Sequence, residues 1–304
     1  MKVLITGGAG FIGSNIVEEL VKSGHEVIVL DNFSLGNMSN LESVKNKITV
    51  VKGDIRDEKL LEDISKDCDV ISNQAAASSA PMFKTNLRES VETNVLGFTN
   101  ILNAARKNDV KKVVFASTSS IYGNNPPPLR ENMDVCPPNF YSATKMNNEH
   151  MAKIFSQEYG LETIGFRYMS VYGPHEESKG GYANLVSQFL WSMKKNESPV
   201  VYGNGKQTRD FVFVKDVAQA NILAVNTTKK IFGEIFNVGT GKATSMNDMI
   251  NLINKILRKN IQPTHIENPV KNYIAVQLAD ISKIKSDLGF EPRYSLDAGI
   301  KEIA

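Results

Sequence analysis

A glycine-rich turn near the start of the chain constrains the fold more than any other feature. The sequence Gly7-Gly8-Ala9-Gly10-Phe11-Ile12-Gly13 follows a β-rich run and precedes a helical pattern whose apolar residues recur every three or four positions. Such a turn is typical of dinucleotide-binding α/β folds, because its glycines permit a sharp bend and let the backbone approach a pyrophosphate. The helix N-terminus then offers free N–H groups and a partial positive charge. We therefore predict that a dinucleotide pyrophosphate contacts Gly7, Gly10, Phe11, Ile12 and Gly13.

A carboxylate ends the second predicted strand. Asp31 stands eighteen residues beyond Gly13, where it can accept hydrogen bonds from the adenosine ribose hydroxyls and repel a 2′-phosphate. No Arg or Lys occurs from position 31 to position 37, so the pattern favours NAD over NADP, with Asp31 and Asn32 at the ribose. Asp54 and Ile55 follow the third predicted strand, where they can contact the adenine. The alternative for Asp54 is a solvated loop position.

Short β-rich runs alternate with helical patterns through the first half of the chain. The predicted buried strands are residues 2–6, 26–30, 48–52, 69–72, 112–116 and 163–167. This alternation predicts an α/β fold in which a Rossmann-type doubly wound parallel sheet carries helices on both faces.

Glycine and proline residues break this rhythm after Tyr168. We expect the chain to leave the sheet there, to return near residues 211–214 and 235–238, and then to leave again. This predicts a NAD-binding Rossmann domain formed by residues 1–167 plus 211–238. Residues 168–210 plus 239–304 would form a smaller, discontinuous substrate-binding lobe, and the cleft between the two parts is the expected ligand site.

Composition argues against several classes of protein. A net charge of +2 over 304 residues gives no basic footprint for nucleic acid, and no segment reaches the ~20 apolar residues of a membrane span. The apolar run after Met1 is too short for a signal peptide. Two cysteines are too few for a disulfide framework and fit a reducing compartment. We expect a cytoplasmic protein with no metal site, no membrane partner and no nucleic acid partner.

Tyr141 and Lys145 lie four residues apart at the start of a predicted helix. This spacing places the phenol and the ammonium on one helix face, and a nearby positive charge moves the tyrosine pKa from about 10 toward the working pH. Tyr141 is therefore a candidate general base and acid for an alcohol hydroxyl. Tyr202 and Lys206 repeat the spacing across Gly203-Asn204-Gly205, which cannot hold a regular helix, so we do not expect them to form a second such pair.

The order of these motifs resembles that of the extended short-chain dehydrogenase/reductase family. The glycine turn, the Asp31-Asn32 step, a run of hydroxyl residues ending in Ile121-Tyr122-Gly123, and the Tyr141/Lys145 pair follow one another as in that family. Later motifs that agree are residues 167–174, 202–205 with 207–211, 236–239, and 278–280 with Lys283. The resemblance covers nearly the whole chain and is closest to nucleotide-sugar 4-epimerases of the UDP-glucose 4-epimerase type.

The resemblance implies a role for individual residues. Tyr141 would be the catalytic base, Lys145 its electrostatic partner and ribose anchor, and Thr118 the bridge between Tyr141 and a sugar hydroxyl. Asn184 and Arg209 would hold a nucleotide diphosphate, for which the forked donors of arginine are suited. Further NAD contacts are implied for Ala75 and Tyr168, and further substrate contacts for Ser119 and Tyr202. The implied cofactor is NAD, and the favoured substrate is a UDP-sugar.

The residues after Thr118 favour one reaction over its relatives. Family members that dehydrate the sugar carry an Asp-Glu pair there, and decarboxylating members keep a carboxylate just before the aliphatic residue. This chain has Ser119 and Ser120, which have no acid–base character near neutral pH. The resemblance therefore implies NAD-dependent 4-epimerisation, in which hydride leaves the sugar C4 and returns to the other face of a 4-keto sugar. The alternatives are a one-way nucleotide-sugar oxidoreductase or dehydratase, and a non-catalytic dinucleotide sensor.

Several positions depart from the family pattern and leave the sugar and the nucleotide open. Ser170 replaces the usual Asn, and Asn73-Gln74 replaces the usual His. Gln277 lies near the position that gates N-acetyl sugars. Val270 replaces a diphosphate-binding Arg, for which Lys271 is the neighbouring substitute.

Two predicted amphipathic helices, residues 87–106 and Phe140–Tyr159, resemble the pair that forms a dimer interface in relatives. The resemblance implies a homodimer. Packing within the chain is the alternative explanation of their apolar faces.

Overall fold

The computed structural model describes residues 1–269 and 273–304. Its strands are β1 (Lys2–Thr6), β2 (Glu26–Asp31), β3 (Ile48–Lys52), β4 (Val70–Asn73), β5 (Lys112–Ala116), β6 (Glu162–Tyr168), β7 (Ser170–Tyr172), β8 (Val200–Tyr202), β9 (Thr208–Arg209), β10 (Phe211–Phe213), β11 (Phe232–Val238), β12 (Thr244–Ser245) and β13 (Thr264–Ile266). Its α-helices are α1 (Phe11–Lys22), α2 (Glu58–Ile64), α3 (Ala80–Thr85), α4 (Leu87–Val91), α5 (Gly97–Lys107), α6 (Phe140–Tyr159), α7 (Leu185–Lys194), α8 (Val214–Asn226), α9 (Met246–Leu257), α10 (Ser282–Leu288) and α11 (Leu296–Ile303).

A parallel sheet with the strand order β11-β6-β5-β4-β1-β2-β3 forms the centre of the molecule. The first three strands run outward from β1 in one direction, and the chain then crosses to β4 and continues in the other. In such open sheets, ligands bind at the carboxyl ends of the strands where the order reverses. The predicted α/β, Rossmann-type doubly wound fold is confirmed, and all six predicted strands match within one residue at each end.

Apolar side chains cover both faces of this sheet. On one face, Ile16 and Leu20 of α1 belong to a core that includes Val217 of α8. On the other face, the core includes Phe98 of α5 and Phe155 of α6. Strand β3 lies at the sheet edge, where three of its residues are partly buried and two are exposed, so the expectation of a buried strand is wrong at this position.

Residues 211–213 do not rejoin the central sheet as the sequence pattern predicted. They form β10, which pairs in parallel with β7, and only β11 returns to the central sheet beside β6. The three residues of β10 are all buried, and a buried apolar run predicts a strand without specifying its partner. Both β7 and β10 contribute to a third core with α7, α9 and α11, so this pair of strands packs against these three helices and not within the central sheet.

Candidate active site

A cavity of about 500 Å³ opens at the carboxyl ends of the central strands. It is lined by all but one of the predicted site residues: Gly7, Gly10, Phe11, Ile12, Gly13, Asp31, Asn32, Asp54, Ile55, Ala75, Thr118, Ser119, Tyr141, Lys145, Tyr168, Asn184 and Arg209. The cavity therefore joins the predicted cofactor and substrate residues in one space.

The glycine turn fits a dinucleotide pyrophosphate. Gly7 has a φ of +69°, and a Cβ on Gly13 would lie 2.1 Å from the Gly7 carbonyl oxygen. The start of helix α1 therefore approaches the end of β1 so closely that no residue with a Cβ fits at position 13. Gly10 caps the helix without a side-chain hydrogen bond, so the first N–H groups of α1 are available to a ligand in the cavity.

Asp31 lies buried at the end of β2. Its Oδ2 accepts from the Ala9 N–H at 2.9 Å, and its Oδ1 accepts from the Phe33 N–H at 2.8 Å. Burial raises the pKa of Asp31, and these hydrogen bonds oppose the rise. Gly36 packs against the same carboxylate, since a Cβ there would lie 2.8 Å from Asp31 Oδ1. Each oxygen keeps a lone pair for a ribose hydroxyl.

Asp54 is engaged by its neighbours more fully than the sequence suggested. Its Oδ1 accepts from the Arg56 backbone N–H and Nε, and its Oδ2 accepts from Arg56 Nη2 and from Asn32 Nδ2. The Arg56 guanidinium lowers the pKa of Asp54 to about 2. These four donors occupy the lone pairs of the carboxylate. An adenine contact at Asp54 stays a prediction, and it would have to share one of these oxygens.

Tyr141 and Lys145 stand in the first turns of α6, which begins where the Asn139 side chain accepts from the Ser142 N–H at 3.0 Å. Lys145 is 2 % exposed, and its Nζ donates to the Ala116 carbonyl at 2.9 Å. Burial lowers the pKa of Lys145 to about 8, and Glu149 opposes this shift. Burial raises the pKa of Tyr141, and the Thr118 hydroxyl opposes that rise. The pKa of Tyr141 is therefore raised, not lowered as the spacing predicted, and Lys145 is not among the groups that shift it.

A buried ion pair lies behind Lys145 and was missed by sequence reasoning. Glu149, one turn further along α6, accepts from Arg167 Nη2 at 2.7 Å and from the Ser117 hydroxyl at 2.5 Å. Both charged side chains are almost wholly buried, and Arg167 also lies 4.8 Å from the centre of the Tyr122 ring. The four-residue spacing from Tyr141 through Lys145 to Glu149 could have indicated that all three share one face of α6.

A π-helical turn, Glu92–Leu96, interrupts the helix predicted over residues 87–106. It carries Asn94, whose Oδ1 accepts from the Ala77 N–H at 2.8 Å and whose Nδ2 donates to Thr144 Oγ1 at 3.0 Å. Asn94 therefore ties the loop after β4 to the helix that carries Tyr141. Such single π turns often occur at functional sites.

Arg209 lines the cavity with its guanidinium. Its Nη1 donates to the Thr208 carbonyl at 2.8 Å, and its guanidinium lies 5.2 Å from the centre of the Tyr273 ring. Among the residues that the structure describes, no carboxylate forms an ion pair with it. Burial lowers the pKa of Arg209, as expected for a desolvated cation, and an anionic ligand would supply the missing negative charge.

Asn184 and Tyr202 occupy different surroundings. The Asn184 side-chain oxygen caps α7 by accepting from the Val186 N–H at 3.0 Å, which leaves its NH₂ group for a ligand. Tyr202 ends β8, which pairs with β13, and the residue is 36 % exposed outside the cavity. The structure therefore separates Tyr202 from the other predicted substrate residues. Gly203 and Gly205 both have positive φ, so Tyr202 and Lys206 share no helix face.

Two of the departures from the family pattern meet inside the cavity. Gln277 is 6 % exposed, donates from Nε2 to the Ser119 hydroxyl at 3.1 Å and accepts from the Ser170 hydroxyl at 3.3 Å. Gln74 accepts from the Tyr168 hydroxyl at 3.2 Å, beside the strand end. Val270 and Lys271 lie outside the described residues.

Comparison with known proteins assigns the family. The model of the NAD-dependent epimerase/dehydratase family matches residues 3–239. The chain is 40 % identical to a putative UDP-glucose 4-epimerase of Methanocaldococcus jannaschii, over 99 % of this chain and 96 % of that protein. It is 34 % identical to a UDP-N-acetyl-α-D-glucosaminuronate decarboxylase of Bacillus cytotoxicus, with the same coverage.

A solved structure gives the same result. The UDP-glucose 4-epimerase of Thermotoga maritima, determined with UDP-glucose, superposes with a TM-score of 0.93 at 34 % identity, over 99 % of this chain and 97 % of that one. This chain belongs to the NAD-dependent epimerase/dehydratase family. The resemblance to the extended short-chain dehydrogenases/reductases is confirmed, and NAD is the cofactor of this enzyme. No helix within the described ranges is long and apolar enough to cross a membrane.

Proposed function

We propose that this enzyme is an NAD-dependent 4-epimerase of a UDP-sugar. The observation that carries the proposal is the composition of the cavity wall around Tyr141. Among the described residues that line the cavity, the only carboxylates are Asp31 and Asp54, and both belong to the predicted adenosine end. Dehydration and decarboxylation in this family use a carboxylate beside the threonine, where this chain has Ser119 and Ser120. Hydride transfer with one phenol as acid and base needs no such group.

The residues around the sugar carbinol act in a simple sequence. Bound NAD supplies the acceptor, and later the donor, of the C4 hydride. Tyr141 takes the proton of the 4-hydroxyl as C4 is oxidised, and it returns that proton to the 4-keto oxygen when the hydride re-enters on the other face. Thr118 hydrogen-bonds the same oxygen, and Lys145, held by the Ala116 carbonyl, orients the ribose and favours the phenolate.

The diphosphate of the substrate is the proposed partner of Arg209. A partly buried guanidinium that pairs with no carboxylate among the described residues matches a dianionic diphosphate in charge and in geometry. Asn184 adds its free NH₂ group at the start of α7. The relatives named above act on UDP-sugars by their descriptions, which supports UDP as the nucleotide.

The two-part organisation stays a proposal in this framework. All the predicted cofactor residues except Tyr168 fall in 1–167, and Asn184 and Arg209 fall in 168–210, which supports the predicted division into 1–167 plus 211–238 and 168–210 plus 239–304. We further propose that the enzyme works as a cytoplasmic homodimer. Exposed apolar side chains on α4, on α6 and at the end of the π-helical turn after α4 support the dimer; they are Leu87, Val91, Leu96, Phe140, Ile154 and Tyr159.

Incubation with separate UDP-hexoses, UDP-N-acetylhexosamines and UDP-uronates, followed by chromatographic separation of the C4 epimers, tests the activity. We expect interconversion of one epimer pair from either side, with no net NADH and no loss of mass. Stoichiometric NADH release would identify the one-way oxidoreductase instead. Loss of water or carbon dioxide from the sugar would contradict the argument from Ser119 and Ser120.

A further inference from the structure

A segment that follows β7 crosses the first turn of α1. We call residues 174–184 the crossing segment. Asn15 Nδ2 donates to the Pro174 carbonyl at 3.2 Å, and the Ser14 hydroxyl lies 2.9 Å from His175 Nδ1. Both partners belong to the helix that begins at the glycine turn, so the crossing segment is fixed against the predicted pyrophosphate site.

Lys179 of the crossing segment extends over the start of this helix. Its Nζ lies 5.4 Å from the centre of the Phe11 ring, and both residues line the cavity. Its acidic neighbour is Glu176, at 3.5 Å. The Glu176 carboxylate is already bound by the Asn184 N–H at 2.7 Å and the Ser187 hydroxyl at 2.6 Å, so it serves chiefly to hold the start of α7.

Charge at the glycine turn points to a purpose for Lys179. A dinucleotide pyrophosphate carries two negative charges, whereas the helix terminus supplies the equivalent of about half a positive charge. Residues 10–14 contain no charged side chain. Of the cavity-lining cations that the structure describes, Lys145 is bonded to Ala116 and Arg209 lies against Tyr273. Lys179 is the one that contacts α1.

We propose that Lys179 binds the pyrophosphate of NAD and that the crossing segment is therefore part of the cofactor site. Sequence reasoning assigned nothing to this lysine, because it lies 166 positions beyond Gly13 and in the predicted substrate lobe. Its ammonium would donate a charge-assisted hydrogen bond to a pyrophosphate oxygen, in addition to the hydrogen bonds that the N–H groups of the glycine turn donate.

Cofactor binding, measured apart from turnover, tests the proposal. Lys179→Met keeps the length of the side chain and removes its charge, and Lys179→Arg keeps the charge. The purified variants are dialysed at raised ionic strength, and the NAD released on denaturation is counted per chain. The dialysed proteins are then titrated calorimetrically with NAD and, separately, with UDP. Lys195→Met, at an exposed site after α7, is the matched control.

We expect Lys179→Met to lose bound NAD on dialysis and to bind added NAD roughly 10- to 100-fold more weakly. Its UDP affinity should match the parent protein, and its NAD affinity should depend less on salt. Lys179→Arg should recover most of the NAD affinity, and Lys195→Met should behave as the parent. Weaker UDP binding with unchanged NAD binding would overturn the proposal, as would unchanged binding of both ligands, with or without a loss of turnover.

Discussion

Tyr141 is the residue on which the proposed chemistry depends. Burial raises the pKa of its phenol, so the protein alone holds it protonated at neutral pH. Its action as a base therefore requires positive charge in the cavity, from Lys145 and from the oxidised nicotinamide that arrives with the cofactor. The tyrosine and lysine could be identified from their spacing, but the balance between burial and charge could not, because desolvation depends on segments remote in sequence.

Replacement of Tyr141 by phenylalanine removes the proton acceptor and leaves the ring in place. We expect Tyr141→Phe to lose about 10²- to 10⁴-fold in kcat, because the 4-hydroxyl then has no base. NAD content and melting temperature should stay close to those of the parent. Epimer formation at the parental rate would show that another group takes the proton.

The pH profile of turnover reports on Lys145. Its pKa is lowered to about 8, so the ammonium is charged below that pH and loses its charge as the pH rises through it. We expect kcat to fall on the alkaline side near pH 8, because an uncharged amine no longer favours the phenolate. Glu149 raises this pKa, so Glu149→Gln should move the falling limb to lower pH.

Glu131→Gln is the matched control for this shift. Glu131 is a partly buried carboxylate near Arg167, and it accepts from the Asn237 N–H at 2.7 Å, but it does not contribute to the pKa of Lys145. Thermal melts of both variants separate a change of stability from a change of protonation. An equal displacement of the limb in both variants would refute the role assigned to Glu149.

Substitution of Arg209 tests the proposed diphosphate site. Arg209→Gln removes a charge-assisted contact, so the KM for the UDP-sugar should rise about 10- to 100-fold with a smaller change in kcat. Lys206→Gln, at an exposed position of the adjoining turn, is the control. A parental KM in Arg209→Gln would place the diphosphate elsewhere.

At the scale of elements, the glycine turn couples the first strand to the first helix. Alanine normally favours a helix over glycine by about 1 kcal/mol. At Gly13 this gain is outweighed, since the new Cβ would lie 2.1 Å from the Gly7 carbonyl oxygen. We expect Gly13→Ala to lower both the melting temperature and the NAD content. Gly181→Ala, where a Cβ meets open space, should alter neither, and equal effects would dismiss the steric argument.

The predicted elements were accurate where burial on both faces determined the pattern. Parallel strands of this kind appear as continuous apolar runs, which is why the six predicted strands match the structure within one residue at each end. The same property concealed the true partner of β10. The π turn at Asn94 could not be predicted, because its hydrogen bonds join Ala77 and Thr144, which are distant in sequence.

At the scale of the whole molecule, the exposed apolar residues predict self-association. Phe140 is 62 % exposed and Leu96 is 49 % exposed, and both belong to the helices that the sequence proposed for a dimer interface. Light scattering at micromolar concentration should give twice the chain mass of 33.6 kDa. Leu96→Asp should shift the protein toward the monomer, whereas Val200→Asp, equally exposed on β8, should not. A monomer mass for the parent would discard the dimer.

The sequence predicted the residues at the cofactor end and at the diphosphate end of the cavity, but not the contacts made between these two ends. The glycine turn and Asp31 followed from local motifs, and Arg209 followed from resemblance. Gln277 gained its contacts to Ser119 and Ser170 only through the tertiary fold, and Tyr202 was placed in the substrate site although its strand pairs with β13 elsewhere. Short motifs therefore locate groups that act through their own turn, but not groups that depend on the packing of three separate segments.

The hydrogen bonds of Asp31 bear on how coenzyme preference can change in descendants of such a protein. Its carboxylate fastens the Ala9 and Phe33 amides and sits against Gly36. A substitution of Asp31 by a residue that accommodates a 2′-phosphate on the ribose would therefore also remove the hydrogen bonds that hold the Ala9 and Phe33 amides beside the glycine turn. The selectivity for NAD and the conformation of the loops that bind it therefore depend on the same carboxylate. A single substitution of Asp31 cannot alter the coenzyme selectivity without disturbing those loops.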